Sequence, residues 1–404
     1  MFDERSYESP DYKAPAPITS DGTRFSTQFR QLEALVTQVM AIEERRDDLD
    51  PRIAAAFVGQ LTLPSAQAFA QLDEQVTPLE MMSFFSTIPE GDLKGKHQIL
   101  IIRERPNPAP RPWWPNALLF VLTLFSTMWA GAVIEGVELE SLEQLFTQGK
   151  LLEGLPYMLS LILILGAHEL GHYFAARYHR VDVTLPYFIP LPIGLFGTMG
   201  AFIQQRTPPR NRRQLFDIGA AGPLAGLLFA IPIIWIGIAT SEVGPLPTEA
   251  DCAADSEQCA YIMEGNSLLY GVSKYVIHGR WLPSNGVDMT LNQLAFAGWT
   301  GLFVTAINLI PVGQFDGGHI IYTLLGQNAR RLYVPALVAA AGLAFIYSGW
   351  FLWVLLIFFL GRNYNTPMDD ITPLDPSRRL IGIIALAFFL LIFTPNPFMI
   401  ITLN

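Results

Sequence analysis

The chain is poor in charge, cysteine and histidine. Only 15% of its 404 residues are Asp, Glu, Lys or Arg, against 51% hydrophobic residues with 27 Phe and 8 Trp. That balance excludes an ordinary soluble globular protein. Cationic excess is also missing: the net charge of -10 argues against nucleic acid as a partner. The two cysteines, Cys252 and Cys259, share one polar loop with His278. Three candidate ligands are too few for a structural zinc site there, and the pair is expected to close a short disulfide on an oxidising side. The stretch before Pro112 is polar, acidic and broken by Pro, with no early apolar core, so no signal peptide is expected.

What is present is a series of long apolar runs after a polar first quarter. Residues 1–24, rich in Pro, Ser, Asp and Tyr, are expected to be a flexible tail. Residues 25–105 predict a small soluble α+β domain. There Phe29, Leu32, Leu35, Val36 and Met40 recur at helical spacing, a second helix follows Pro64-Ser65, and His97–Ile102 is expected to be a strand. His97, beside lysines, is expected on the surface. Residues 106–114 form a Pro-rich hinge with nearby Arg103, Arg105 and Arg111, then Trp113-Trp114, a cytoplasmic interface pattern. Residues 115–404 predict a polytopic, mainly α-helical membrane domain of six to eight spans.

The first four spans are expected at about 115–134, 155–178, 215–238 and 291–311. The apolar stretch 332–361 reads as one long tilted helix or as a helical hairpin broken at Ser348-Gly349, the hairpin favoured by Arg362, Arg378 and Arg379, followed by a last span over about 380–401. Arg177, Arg180, Arg206, Arg210, Arg212 and Arg213 separate the second and third spans, whereas residues 135–153 and 241–290 are nearly free of Lys and Arg. The positive-inside rule then puts the N-terminus in the cytoplasm and the protein in the cell membrane. Between spans two and three, the apolar residues from Phe188 to Ile203 carry too many Pro and Gly for a helix. Such backbone is tolerated at membrane depth only when buried or lining a cavity, so a re-entrant loop or β-hairpin is expected, with Gly197 and Gly200 as candidate substrate-positioning residues.

The second span carries His168-Glu169-Leu170-Gly171-His172. On a helix the two imidazoles lie one turn apart on one face and can share a Zn²⁺. Glu169, turned about 100° away, is placed to act on a water rather than to ligate. Ionisable groups in an apolar span cost about 2.5–3.5 kcal/mol each on insertion scales, so they are expected to face the bundle interior. A third ligand is needed. Asp316, after Pro311 and before Gly317-Gly318, is the first candidate, with His319 as its rival. On the third span, Gly222 and Gly226 give a small-residue face for helix contact.

The pairing of His168-Glu169-x-x-His172 with Asn308-x-x-Pro311 and Asp316-Gly317, and Ala221-Gly222-Pro223-Leu224-Ala225-Gly226 between them, resembles the site-2 protease family of intramembrane zinc metalloproteases. The likeness is strong over about 155–330. With Arg-Pro-Trp-Trp opening the first span and no visible PDZ-type insertion, the chain is similar to bacterial relatives of the plant plastid EGY proteases. The resemblance implies one zinc per chain held by His168, His172 and Asp316, with Glu169 as general base and Asn308 binding the substrate carbonyl or oxyanion. It also implies membrane-anchored protein substrates in the lipid bilayer. The Ile189–Gln204 loop is expected to hold an unwound substrate as an added strand. A homo-oligomer remains open. Two rival readings are an inactive membrane scaffold of the same fold and an ion pathway through the buried His, Glu and Asp.

Overall fold

The computed structural model describes residues 27–46, 50–136, 149–248 and 259–403. The expected tail and Cys252 lie outside the described residues, and with Cys252 the expected Cys252–Cys259 pairing. In the N-terminal unit, helix α1 (Thr27–Thr37) buries Phe29, Leu32 and Val36, one helical stripe. Met40, expected to continue that stripe, instead opens strand β1 (Met40–Arg46). Strands β2 (Ile53–Leu61), β3 (Met82–Thr87) and β4 (His97–Ile102) complete an antiparallel sheet of order β1-β2-β4-β3, with helix α2 (Ser65–Val76) between β2 and β3. Phe57, Ile99 and Ile101 of the sheet meet Phe29, Leu32, Phe69 and Leu72 of the two helices in a separate apolar core. His97 is a correction: its Nδ1 accepts the Leu61 backbone N–H at 3.2 Å, and partial burial lowers its pKa.

Three described helices are long and apolar enough to cross a membrane: α3 (Trp114–Ile134), α4 (Leu155–Tyr178), preceded by a tight turn from Lys150, and α5 (Arg212–Thr240). All three were expected. Helix α6 (Leu268–His278) and strands β7 (Val243–Pro245), β8 (Cys259–Glu264) and β9 (Val287–Met289) fill the following segment. Helix α7 (Gln293–Asn308) is 16 residues long and buried almost all round, so it forms the centre of the bundle rather than a lipid-facing wall. After α8 (Asp316–Leu325), the expected hairpin is present as α9 (Tyr333–Ala344) and α10 (Trp350–Leu360). At 12 and 11 residues, neither reaches the roughly 20 needed to span.

The last expected span is shorter than its apolar run. Helix α11 (Pro376–Ile392) stops before Thr394-Pro395-Asn396-Pro397, where proline cannot continue a helix. Residues Phe398–Leu403 then form strand β10, paired with β8. The Pro/Gly-rich stretch is a β-hairpin, β5 (Tyr187–Pro190) with β6 (Thr198–Phe202). Its base is pinned by Asn116, whose amide donates to the Leu185 and Pro186 carbonyls at 2.8 and 3.0 Å. Its tip is held by the Tyr157 hydroxyl, which donates to Phe196 O at 3.2 Å.

The N-terminal unit docks at the end of the bundle that carries the arginines. Phe85 N–H donates to Met368 O at 2.7 Å, Asp370 N–H donates to Phe85 O at 2.9 Å, and Arg210 pairs with Asp73 at 2.7 Å. The segment between α10 and α11 thus caps the β3 edge of the sheet, which would otherwise be free to pair with another chain.

Candidate metal centre

Helix α4 places His168 and His172 one turn apart, both turned inward and buried, at 3% and 6% exposure. Helix α8 begins at Asp316, and its aligned peptide dipoles favour a carboxylate in the first turn. Gly317 and Gly318 let that first turn pack on the chain ahead of it: a β-carbon on either would overlap carbonyls between Leu309 and Gly313. The result is a triangle of ligand atoms. His168 Nε2 and His172 Nε2 are 3.1 Å apart, and Asp316 Oδ2 lies 3.1 Å from the first and 3.3 Å from the second.

That triangle has the size a tetrahedral zinc demands. Bonds of about 2.0–2.1 Å at tetrahedral angles separate neighbouring ligand atoms by about 3.3 Å. Two imidazoles and one carboxylate leave a fourth position open, the pattern of catalytic rather than structural zinc. The second ring nitrogen of His172 is also provided for: Nδ1–H donates to the Ile218 carbonyl on α5 at 2.7 Å, which leaves Nε2 as the lone-pair donor. These residues fit a zinc ion.

Helix α5 is shaped around the imidazoles. A β-carbon at Gly222 would overlap His172 Nε2, one at Gly226 would lie 3.3 Å from His168 Nδ1, and one at Gly219 would lie 2.7 Å from His319 Cβ. The three glycines fall at i, i+3 and i+7, along one face. The small-residue stripe thus makes room for rings, and the contact it permits is helix against metal ligand. Gly171 of α4 meets the Ala221 backbone in the same crossing.

Glu169 is 4% exposed, with Oε1 at 4.0 Å from His168 Nε2, beside the triangle and outside it. The Ile203 backbone, one residue past β6, lies close to this carboxylate, which brings the hairpin beside the acid. Asn308, at the end of α7, brings its amide nitrogen to 3.5 Å from His168 Nε2. His319 is not in the triangle. It sits one turn beyond Asp316, packed against Gly219, and its buried Nδ1 has no hydrogen-bond partner among the described residues. The carboxylate, not the rival imidazole, completes the cluster.

Gly197 and Gly200 both adopt positive φ, +73° and +100°. Gly197 packs against the Ser126–Thr127 backbone of α3, so it seats the hairpin. Gly200 has open space where a side chain would point. The Ile218 carbonyl, the Ile203 amide and the fitted role of Gly222 were not anticipated from sequence. The spacing of Gly219, Gly222 and Gly226 was the available signal for the last of these.

Comparison with known proteins points to a zinc metalloprotease family. Residues 156–349 match the family model Peptidase family M50. The chain is 30% identical over 320 residues to the Arabidopsis thaliana protein named Probable zinc metalloprotease EGY2, chloroplastic, covering 78% of this chain and 55% of that one. It is 29% identical over 370 residues to Arabidopsis Probable zinc metalloprotease EGY1, chloroplastic, covering 84% and 65%. A rice protein named Probable zinc metalloprotease EGY3, chloroplastic, is 28% identical over 253 residues, 60% of this chain and 42% of its own length. The chain thus spans between about two fifths and two thirds of the length of these relatives.

Proposed function

Residues 156–349 belong to peptidase family M50, and from that premise we propose that the chain is an intramembrane zinc metalloendopeptidase of the site-2 protease type. It hydrolyses peptide bonds in or near the transmembrane segments of membrane-anchored proteins. The observation that carries this reading is the triangle of His168, His172 and Asp316 with Glu169 beside it, buried among apolar helices.

His168, His172 and Asp316 would hold the ion. Bound zinc supplies Lewis-acid polarisation of a carbonyl and acidifies water. Glu169 takes the proton of the attacking water and returns it to the leaving amine. The Ile203 contact holds the carboxylate in place for both transfers. The Asn308 amide offers a preorganised donor to the developing oxyanion. Helices α4, α5 and α7 keep bulk water away, which strengthens each of these interactions.

A transmembrane helix hides its peptide bonds in its own hydrogen bonds and must unwind before attack. Among the described residues, strand β6 pairs with β5 alone, which leaves its second edge for an added strand. Edge pairing would satisfy the backbone of the unwound segment, and β6 ends one residue before the Ile203 backbone that lies close to Glu169. The three long spans, with α7 and α11 and the short α9–α10 pair packed as one hairpin, are the elements from which a polytopic arrangement of six to eight passes would be built. Docking of the N-terminal unit beside Arg210 and Arg212 supports a cytoplasmic N-terminus in a cell membrane, since arginine marks that face.

The test is cleavage of a single-span membrane substrate by the wild type and Glu169→Gln. Loss of cleavage with zinc content retained supports the assignment. Cleavage at the wild-type rate by Glu169→Gln contradicts it.

A further inference from the structure

Between the N-terminal sheet and the bundle lies a cavity of about 530 Å³, within the size range of small-molecule sites. Its floor is the sheet face turned away from α1 and α2. Ile99 and Ile101 point into the N-terminal core, while Phe84, Leu100 and Ile102 line the cavity. The facing wall is Pro209, Tyr322 and Tyr364, with the two tyrosine rings 5.7 Å apart. Gln98, Asn328 and Asn365 also line the cavity.

Arg330 and Arg331 also line this cavity and are exposed. The arginines nearby are committed: Arg206 to Asp182 at 3.2 Å, Arg210 to Asp73 at 2.7 Å and Arg212 to Asp370 at 2.9 Å. Among the described residues, Arg330 and Arg331 have no carboxylate partner. Asp370 is held by Arg212 and by the Tyr322 hydroxyl, which donates to it at 2.9 Å. Glu90 is the remaining carboxylate of the lining, so two guanidinium groups face one acid.

We propose that this cavity binds a small phosphorylated ligand with a planar ring, of the nucleoside monophosphate class. The phosphate engages Arg330 and Arg331, whose planar forks suit its oxygens. The ring lies between the sheet face and Tyr364, with its edge within reach of the amides. A free ligand rather than a lipid headgroup is favoured because no lining residue comes from α3, α4 or α5. Tyr322 lies on α8, the helix that begins with Asp316, so the occupied cavity and the metal centre share one rigid element. The proposal stands on the cavity alone and does not depend on the protease reading.

The test is calorimetric titration of the full chain in detergent with three probes: adenosine monophosphate, adenosine and inorganic phosphate. Saturable binding of adenosine monophosphate near or below about 1 mM is expected, with the other two probes at least about tenfold weaker. Arg330→Ala combined with Arg331→Ala should weaken it at least about tenfold, a loss of about 1.4 kcal/mol. Ser86→Trp, which fills the cavity from the sheet, should abolish it while both variants keep the wild-type melting temperature. No saturation by several millimolar nucleotide, binding unchanged in both variants, or phosphate binding equally well would overturn the proposal. Displacement of the nucleotide by an anionic phospholipid would move the site to a lipid headgroup and also overturn it.

Discussion

Gly222 of α5 faces the imidazole of His172 so closely that no side chain can stand between them. The metal-binding face of α4 is therefore built by an absence on its neighbour. Gly222→Ala should push His172 out of the triangle, reducing bound zinc and cleavage together by at least about tenfold, the effect of disturbing a metal-orienting contact. Gly166→Ala, on α4 with open space at its β-position, is the control and should keep both. Metal analysis of the two purified variants checks this.

The proposed substrate edge is the outer side of strand β6, where Met199 is 59% exposed. Met199→Pro removes a backbone donor and places a ring on that edge. Cleavage should fall by about tenfold or more while zinc content stays at the wild-type level, since one or two lost backbone hydrogen bonds are worth about that much. Unchanged cleavage would count against an added strand.

Lys274 of α6 is fully buried, with Nζ at 2.9 Å from Glu264 and 3.4 Å from Asp288, and over the Tyr270 ring at 4.5 Å. Lys274→Met strands two buried carboxylates, a loss of about 3–5 kcal/mol. The melting temperature should drop sharply, and adding Glu264→Gln should restore part of it. A melting temperature equal to wild type in the single variant would show that the cluster contributes little.

The elements read most directly from sequence were those whose signal is local. The three long spans need only length and hydropathy. His168, Glu169 and His172 need only helical spacing. Preference for Asp316 over His319 followed from the resemblance and from its place after Pro311, and the structure puts Asp316 Oδ2, not a ring nitrogen of His319, at the third corner. What was missed depends on contacts between distant segments. Met40 fits helical spacing as well as it fits the start of β1, and only the sheet decides. The apolar run over Phe398–Leu403 suits a span until β8 supplies its partner. A Gly-x-x-x-Gly stripe has the same spacing whether it admits a backbone or an imidazole. Lys274 lies in the 241–290 segment, where sequence alone reads as a polar loop, yet it is buried by carboxylates at positions 264 and 288.

The most direct test of the metal centre is the zinc content of the detergent-purified protein, wild type against His172→Ala and Asp316→Ala. The geometry predicts about one zinc per chain in the wild type and its loss or strong weakening in both variants, each of which leaves only two of three protein ligands. A well-folded wild type that takes up no zinc when the metal is supplied, or an Asp316→Ala variant that holds it as tightly as the wild type, would contradict the three-ligand centre.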